Sequence, residues 1–325
     1  MLHVANGSAT TRLIKASGLS GRTLSWADSL HDGPVPDVPD NELVRIRAIF
    51  HDSPEQPVAG NIEGFTAWRR AVDDRGAYDE LVLWFEHDLF DQLNLIHVLS
   101  YLGRGHAITK PVSLVTLDRF AGMPDFKGLG QLTPADIAGL FGTRQPVTES
   151  QIVLAKRAWR AFRASDPRSL EALLLTDTSA LPFLAAALRR HLEEFPSDID
   201  GLSRSERRIL EQAGNGIELK RAFLAAHDGE PAYHLTDTSF LDRVNELAAT
   251  TPPLLTLSGS AKSTGAAPNI PDMRMTLTPA GRDIEAGEAD RVRMCGIDRW
   301  IGGAHLSGRG PVWRWSARGG RLVKA

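Results

Sequence analysis

The chain has a single cysteine, Cys295, among its 325 residues. That excludes an internal disulfide framework and any zinc site built on several thiolates, and it fits a reducing compartment. No apolar run reaches the roughly 20 residues that a membrane-spanning helix needs. Residues 1–20 lack a charged segment leading into an apolar one, so no secretory leader is expected. Charge of neither sign dominates: 37 Lys and Arg stand against 40 Asp and Glu, a formal net charge of −3, with no global pull toward nucleic acid or membrane. Also missing are a Walker-type phosphate loop, a GxGxxG fingerprint and a serine or cysteine nucleophile elbow. The expectation is a soluble, cytoplasmic, non-membrane protein of two or three domains.

What is present begins with an alternation of strand and helix patterns over residues 1–125. "MLHVANG" reads as a strand running into Asn6, Gly7 and Ser8, with the helical pattern "ATTRLIKASGL" behind it. A second strand, Thr23 to Trp26, enters the turn-rich "ADSLHDGPVP". Helical spacing follows around Asn41–Phe50 and Ile62–Asp73. "ELVLWFEH" is continuously apolar, as strands covered on both faces are, and "PVSLVTLDRF" supplies a fourth strand. Between them Leu89 to Leu102 predicts a helix with Leu89, Leu93, Ile96 and Leu99 on one face. The fold class is therefore α/β, with an N-terminal doubly wound, mainly parallel sheet.

In open parallel sheets the ligand crevice lies outside the carboxyl ends of the strands. The residues just past each strand are Asn6-Gly7-Ser8, then Asp28 with His31-Asp32, then Glu86-His87-Asp88, then Asp118. If the strands are neighbours these clusters converge, and Asp91 and Gln92, one turn into the next helix, can face the same space. Taken singly, each residue has a structural explanation: Asp88 is a good N-cap, Asn6 and Ser8 can cap the first helix, and Asp32-Gly33-Pro34 is an ordinary turn. Taken together they point to a crevice. Gly7 and the helix start behind it offer amides to an anion. His31, Glu86, His87 and Asp88 have ligand types suited to a divalent metal, in a spacing that matches no established metal motif. A metal-free role is equally open, with His31 or His87 as general base oriented by Glu86, Asp88 or Asp91.

Residues 126–200 read as a helical subdomain, with Thr133-Pro134 and Thr148 opening two of its helices. Arg144 and Gln145 precede the second of these helices, and Arg144 can reach an anionic ligand. Residues 201–290 begin with a capping box, Ser203 with Glu206. Helical patterns at Ile217–His227 and Thr238–Ala249 follow, then two strands bracketing a polar tip, Ser258 to Pro271. Three helices and a hairpin form a winged-helix-like α+β module. Its charge argues against nucleic acid, with nine Lys and Arg against thirteen Asp and Glu, and the would-be reading helix carries Asp242 and Glu246 with only Arg243 as a cation. Residues 291–325 reverse the balance, with eight Lys and Arg against Asp298 alone. "VWRWSARGGRLVK" reads there as a hairpin with Trp313 and Trp315 on one face. Nucleic-acid binding by this basic, tryptophan-bearing segment is open, and packing of its tryptophans is favoured.

The motifs "LHVANGSATTRL", "WADSLHDGPVP", "LVLWFEHDLFDQL", "LGQLTPADIAGLF", "TRQPVT" with "AWRAF", and "GIDRWIGGAHL" with "WRW" together resemble the bacterial DUF1835 domain-containing proteins. The DUF1835 part covers roughly residues 1–120, and the likeness to longer members continues to the C-terminus. The family has no assigned function, so the resemblance implies no catalytic residue. Its polar motifs fall on Asn6, Gly7, Asp28, His31, Gly33, Pro34, Glu86, His87, Asp88, Asp91 and Gln92, largely the strand-end residues already singled out. Two functions are expected in this order. The first is a hydrolase or group transferase acting on a small anionic ligand such as a nucleotide or another phosphate ester. The second is a ligand-sensing regulator whose C-terminal region contacts nucleic acid or a protein.

Overall fold

The structure, a computed structural model, describes residues 1–104, 110–232, 235–260 and 269–325. The chain is mixed α/β and divides into two compact units, Met1–Leu188 with Gly302–Ala304, and Arg189–Ile301 with His305–Ala325. Among the described residues no helix is long and apolar enough to cross a membrane. The tip between Ser258 and Pro271 lies largely outside the described residues.

The first unit opens with β1 (Leu2–Ala5), α1 (Ser8–Ala16), β2 (Arg22–Ser25), α2 (Asp40–Phe50) and α3 (Val58–Asp73). It continues through β3 (Leu81–Trp84), α4 (Leu89–Leu102), β4 (Val112–Val115), α5 (Pro134–Phe141) and β5 (Gln145–Pro146). Helices α6 (Glu149–Phe162), α7 (Arg168–Leu174) and α8 (Leu184–Leu192) follow, and the division between units falls inside α8. The sheet order is β2-β1-β3-β4-β5. The first four strands pair in parallel and β5 is antiparallel to β4. All four residues of β1, β3 and β4 are buried, which is why β3 is continuously apolar instead of alternating, while His3 of β1 and Ser113 of β4 are buried polar residues. The edge strand β5 ends in a proline, as an edge can; this strand falls in a stretch whose pattern read as helical.

Helix α4 has the expected bounds but not the expected single apolar face. Twelve of its fourteen residues are buried, including Asp91, Gln92, Asn94, His97 and Ser100. It lies next to α6, and His97 stacks on Trp159 of that helix at 4.4 Å. A helix covered all round buries its polar residues too, and each then needs a partner. The Trp26 Nε1–H donates to His97 Nδ1 at 3.3 Å, and the Trp84 Nε1–H donates to His3 Nδ1 at 3.2 Å.

The second unit contains α9 (Arg204–Ala213), β6 (Ile217–Glu218), α10 (Leu219–Ala226), α11 (Asp237–Ala249), β7 (Leu255–Gly259) and β8 (Met273–Leu277). Then come α12 (Pro279–Glu285), α13 (Arg291–Cys295), the pair β9 (Ile297–Ile301) and β10 (Ala304–Gly308), and the hairpin β11 (Trp313–Ser316) with β12 (Arg321–Lys324). The capping box of Ser203 and Glu206 starts α9 as expected. Residues 217–218, expected as the start of a helix, are instead a two-residue strand pairing antiparallel with β8, and β7 flanks β8 on the other side. Ile209, Leu210, Phe240, Val244, Leu254, Met275 and Ile284 form the core.

A buried ionic network crosses this core. The guanidinium of Arg299 donates to both Glu206 Oε1 and Glu246 Oε1 at 2.6 Å. Arg291 lies 3.2 Å from Glu206 and 3.0 Å from Glu246. Burial works to raise the Glu206 carboxyl, but Arg299 and Arg291 outweigh it and hold the group down to about 2. Arg314, on β11, pairs with Asp290 at 2.7 Å and donates to the Ser197 carbonyl at 2.9 Å. Removing one member of such a network leaves buried charge that the remaining partners compensate only in part. Arg299→Met is therefore expected to lower the unfolding free energy by about 3–5 kcal/mol in urea titration. Arg318→Met, at an exposed position, is expected to change it by no more than about 0.5 kcal/mol.

Candidate functional site

The site grows from the end of β3. Trp84 is the last strand residue, Phe85 donates its N–H to the Val115 carbonyl, and the chain then leaves the sheet at Glu86. The Asp88 side chain accepts the Asp91 N–H at 2.8 Å and so caps α4. This cap sets the first turn of α4 directly under the strand end. Asp91 Oδ1 then accepts the Glu86 N–H at 2.6 Å, and Gln92 Nε2 donates to the Glu86 carbonyl at 2.5 Å. From β1, adjacent to β3 in the sheet, Asn6 Nδ2 donates to Asp91 Oδ2.

Glu86, Asp88 and Asp91 are all buried, and each brings a carboxylate oxygen within 4.8 Å of the other two. No Lys or Arg pairs with any of them among the described residues. The consequence is electrostatic. Burial, reinforced by the charge of Asp88, pushes the Glu86 carboxyl up to about 8, against the pull of the Leu129 N–H. Burial also raises Asp91, with the charges of Asp88 and Glu86 adding to it. Asp88 is raised by burial too, opposed by the Asp91 amide and by the charges of His87 and His31. Three like charges in this space cannot coexist unneutralised. At neutral pH the group keeps protons or takes a cation.

The two histidines singled out from the sequence both flank the trio, since each acts on the charge of Asp88. The His87 ring lies over Phe126 at 6.5 Å and edge-on to Phe183 at 6.1 Å. The His31 ring meets Phe90 edge-on at 5.9 Å, and its Nε2 is 3.3 Å from Asp32 Oδ2. Gly7 opens α1 with no side-chain cap, and exposed Ser8 begins the helix. Thr116, just past β4, has a buried hydroxyl with no hydrogen-bond partner among the described residues.

Two expected ligand-binding residues have other work. The Asp28 carboxylate is buried against Arg47, whose Nη2 approaches Oδ1 at 2.5 Å, and His51 Nε2 lies 2.8 Å from the same oxygen. Burial works to raise this carboxyl, yet Arg47 and His51 hold it far below the usual range. Arg47 also binds the carbonyls of Ser29 and Asp32, so Asp28 and Arg47 together shape the loop after β2. Arg144 does not reach the strand-end group. It pairs at 2.8 Å with Glu80, which precedes β3 and so stands at the opposite end of the sheet, and it lies 3.9 Å over the Phe141 ring. Asp118 pairs with its neighbour Arg119 at 3.0 Å.

Three contributors escaped the sequence reading. Arg47 lies in the Asn41–Phe50 stretch, which was read only for its helical apolar spacing. Asn94 clasps the Asp28 backbone, accepting its N–H at 3.1 Å and donating to its carbonyl at 2.9 Å. The Gly128–Leu129 turn touches Glu86 across 43 residues, the Leu129 N–H donating to Oε1 at 2.5 Å. Local periodicity carries no signal for such a contact; the only hint was a glycine in "KGLGQL".

A scan against protein-family models gives no match for this chain, and a search of curated proteins gives none.

The raised carboxyls have a defined effect on stability. Glu86 binds its proton more tightly folded than unfolded, so stability is lost as pH rises from about 4.5 toward about 8 and levels off above. The cation-free protein is expected to unfold more readily at pH 8.5 than at pH 5.5, apart from the acid-side loss governed by Asp28 and Glu206. Glu86→Gln, which keeps the shape without the charge, is expected to recover about 2–4 kcal/mol at pH 8.5 and nothing at pH 4. Chemical denaturation across that range measures both, and a Glu86→Gln variant with the wild-type pH slope would contradict the assignment.

Proposed function

We propose that the chain is a hydrolase or group transferase acting on a small anionic ligand, a nucleotide or another phosphate ester, at the carboxyl ends of the β1 and β3 strands. The observation that carries this reading is the buried Glu86–Asp88–Asp91 group, with which no Lys or Arg pairs among the described residues. It stands where β1 and β3 lie side by side while β2 and β4 are added on opposite flanks. That position is where open α/β sheets bind ligands. Three carboxylates repel an anion unless something positive stands between them, and oxygen-only donors suit a hard divalent cation such as Mg²⁺ or Mn²⁺. In this reading Glu86, Asp88 and Asp91 would hold the cation, which would supply the positive charge that an anionic ligand needs here. The amides behind Gly7 and Ser8 hold a second phosphate oxygen, and His87 takes or gives the proton of the attacking or leaving oxygen, with His31 the second candidate. Chemistry of this kind is mostly positioning and charge neutralisation.

The finer architecture belongs to the same proposal. The N-terminal sheet is doubly wound, α9–α11 with β7 and β8 form a winged-helix-like module, and the chain is a cytoplasmic relative of the DUF1835 domain-containing proteins. What supports the relationship is that its motifs fall on Asn6, Glu86, Asp88, Asp91 and Gln92, the residues tied together at the strand ends. The alternative, a regulator that binds nucleic acid through residues 291–325, is weakened by the ion pairs of Arg291, Arg299 and Arg314. Those cations are already neutralised within the second unit, which leaves Arg293, Arg309, Arg318, Arg321 and Lys324 exposed.

Mn²⁺ at about 100 times its dissociation constant is expected to stabilise the protein by roughly 2.7 kcal/mol, seen as a rise in thermal midpoint that Glu86→Gln and Asp88→Asn each abolish. His87→Ala is expected to keep that rise while losing turnover on a panel of phosphate esters. A midpoint unmoved by Mg²⁺, Mn²⁺ or Ca²⁺ would remove the cation from the account.

A further inference from the structure

We propose that the Gly128–Leu129 turn is the positioning element for Glu86: position 128 lacks a side chain because the Glu86 carboxyl occupies that space, and the Leu129 amide fixes how the carboxyl points. The functional meaning of this proposal rests on the cation reading above, whereas its geometry stands alone.

Gly128 has φ 166° and ψ 164°, an extended conformation open to any residue. The backbone therefore does not call for glycine. Space does. A Cβ at 128 would overlap Glu86 Oε2 and come within 3.0 Å of Cδ and 3.3 Å of Oε1, so its three nearest neighbours are all carboxyl atoms of Glu86. The other oxygen, Oε1, accepts the Leu129 N–H at 2.5 Å. The donor is rigidly mounted, because the Leu129 side chain is fully buried with Val82, Trp84, Val115 and Phe126. The turn is also closed on itself: Gln131 Oε1 accepts the N–H groups of Lys127 at 2.6 Å and of Gly128 at 3.2 Å. Since Gln92 and Asp91 hold the backbone carbonyl and N–H of Glu86, main chain and side chain are fixed from separate elements. A carboxylate that gives one oxygen to an amide and keeps the other for a ligand is a preorganised arrangement, and outer partners of this kind tune metal affinity strongly.

One methyl group tests this. Gly128→Ala is expected to retain the fold by circular dichroism and to weaken Mn²⁺ binding roughly 10- to 100-fold in calorimetry. It is also expected to lower the thermal midpoint, because the carboxyl must leave its seat. In a Glu86→Ala background the same substitution meets no carboxyl, so it is expected to leave the midpoint where it was. This dependence on residue 86 is a coupling that a general packing defect does not produce. If Glu86→Ala does not fold, Glu86→Asp, a methylene shorter, serves as the second background, and the loss caused by Gly128→Ala should shrink there. Equal losses in both backgrounds, or no effect in either, would overturn the proposal. Should wild type bind no Mn²⁺, the proposed function fails on that result, while the midpoint comparison still decides whether Gly128 seats Glu86.

Discussion

Three carboxyl groups share one small buried space at the end of β3, and the surrounding parts of the first unit are arranged around that constraint. Two of them also serve as structure, Asp88 capping α4 and Asp91 binding the Glu86 N–H. Asn6 brings β1 to them, and Leu129 brings in the turn before α5. Hydrogen bonds from amides and Asn6 soften the cost of burying these acids without cancelling it, so Glu86 rises to about 8. Two other buried acids are matched by guanidinium groups that hold their carboxyls low: Asp28 has Arg47, and Glu206 has Arg299 and Arg291. The contrast within one chain is the strongest argument for function. Perturbation by burial and like charge, without a structural counterion, is how groups that handle protons or cations are set up.

The second unit shows how misleading a linear charge count can be. The acidic stretch 201–290 and the basic stretch 291–325 look like a poor nucleic-acid binder followed by a good one. In three dimensions they are partners, since Arg291 and Arg299 meet Glu206 and Glu246, and Arg314 meets Asp290. Three of the eight cations in the tail are neutralised by acids that precede it. Cations buried in this way cannot release counterions from a phosphate backbone.

Much of the scaffold was legible because its signals are local. The bounds of α4, the caps Thr133, Thr148 and Ser203, and the C-terminal hairpin each announce themselves within a few residues. The candidate site was legible as a place, because polar residues directly after an apolar strand must leave the core. Its membership was less so. Asp28 and Arg144 were read as ligand contacts, and both are committed to ion pairs whose partners, Arg47 and Glu80, lie 19 and 64 residues away. Gly128 was missed for the same reason. Its purpose is defined by a side chain 42 positions earlier, and no periodicity records that. The β9 and β10 pair was likewise read only as part of a basic tail; one inward position of β9 is Arg299, whose burial depends on Glu206, 93 residues away.

The proposed function requires the carboxyl trio to exchange protons for a divalent cation. Calorimetric titration of Mn²⁺ into the protein at pH 7, repeated in buffers of different ionisation enthalpy, counts the protons released. A binding heat that varies with buffer is expected, corresponding to about one proton per cation or more, with a release that fades well above pH 8. A heat independent of buffer at pH 7 would mean that the trio holds no proton to exchange, and would contradict the central claim.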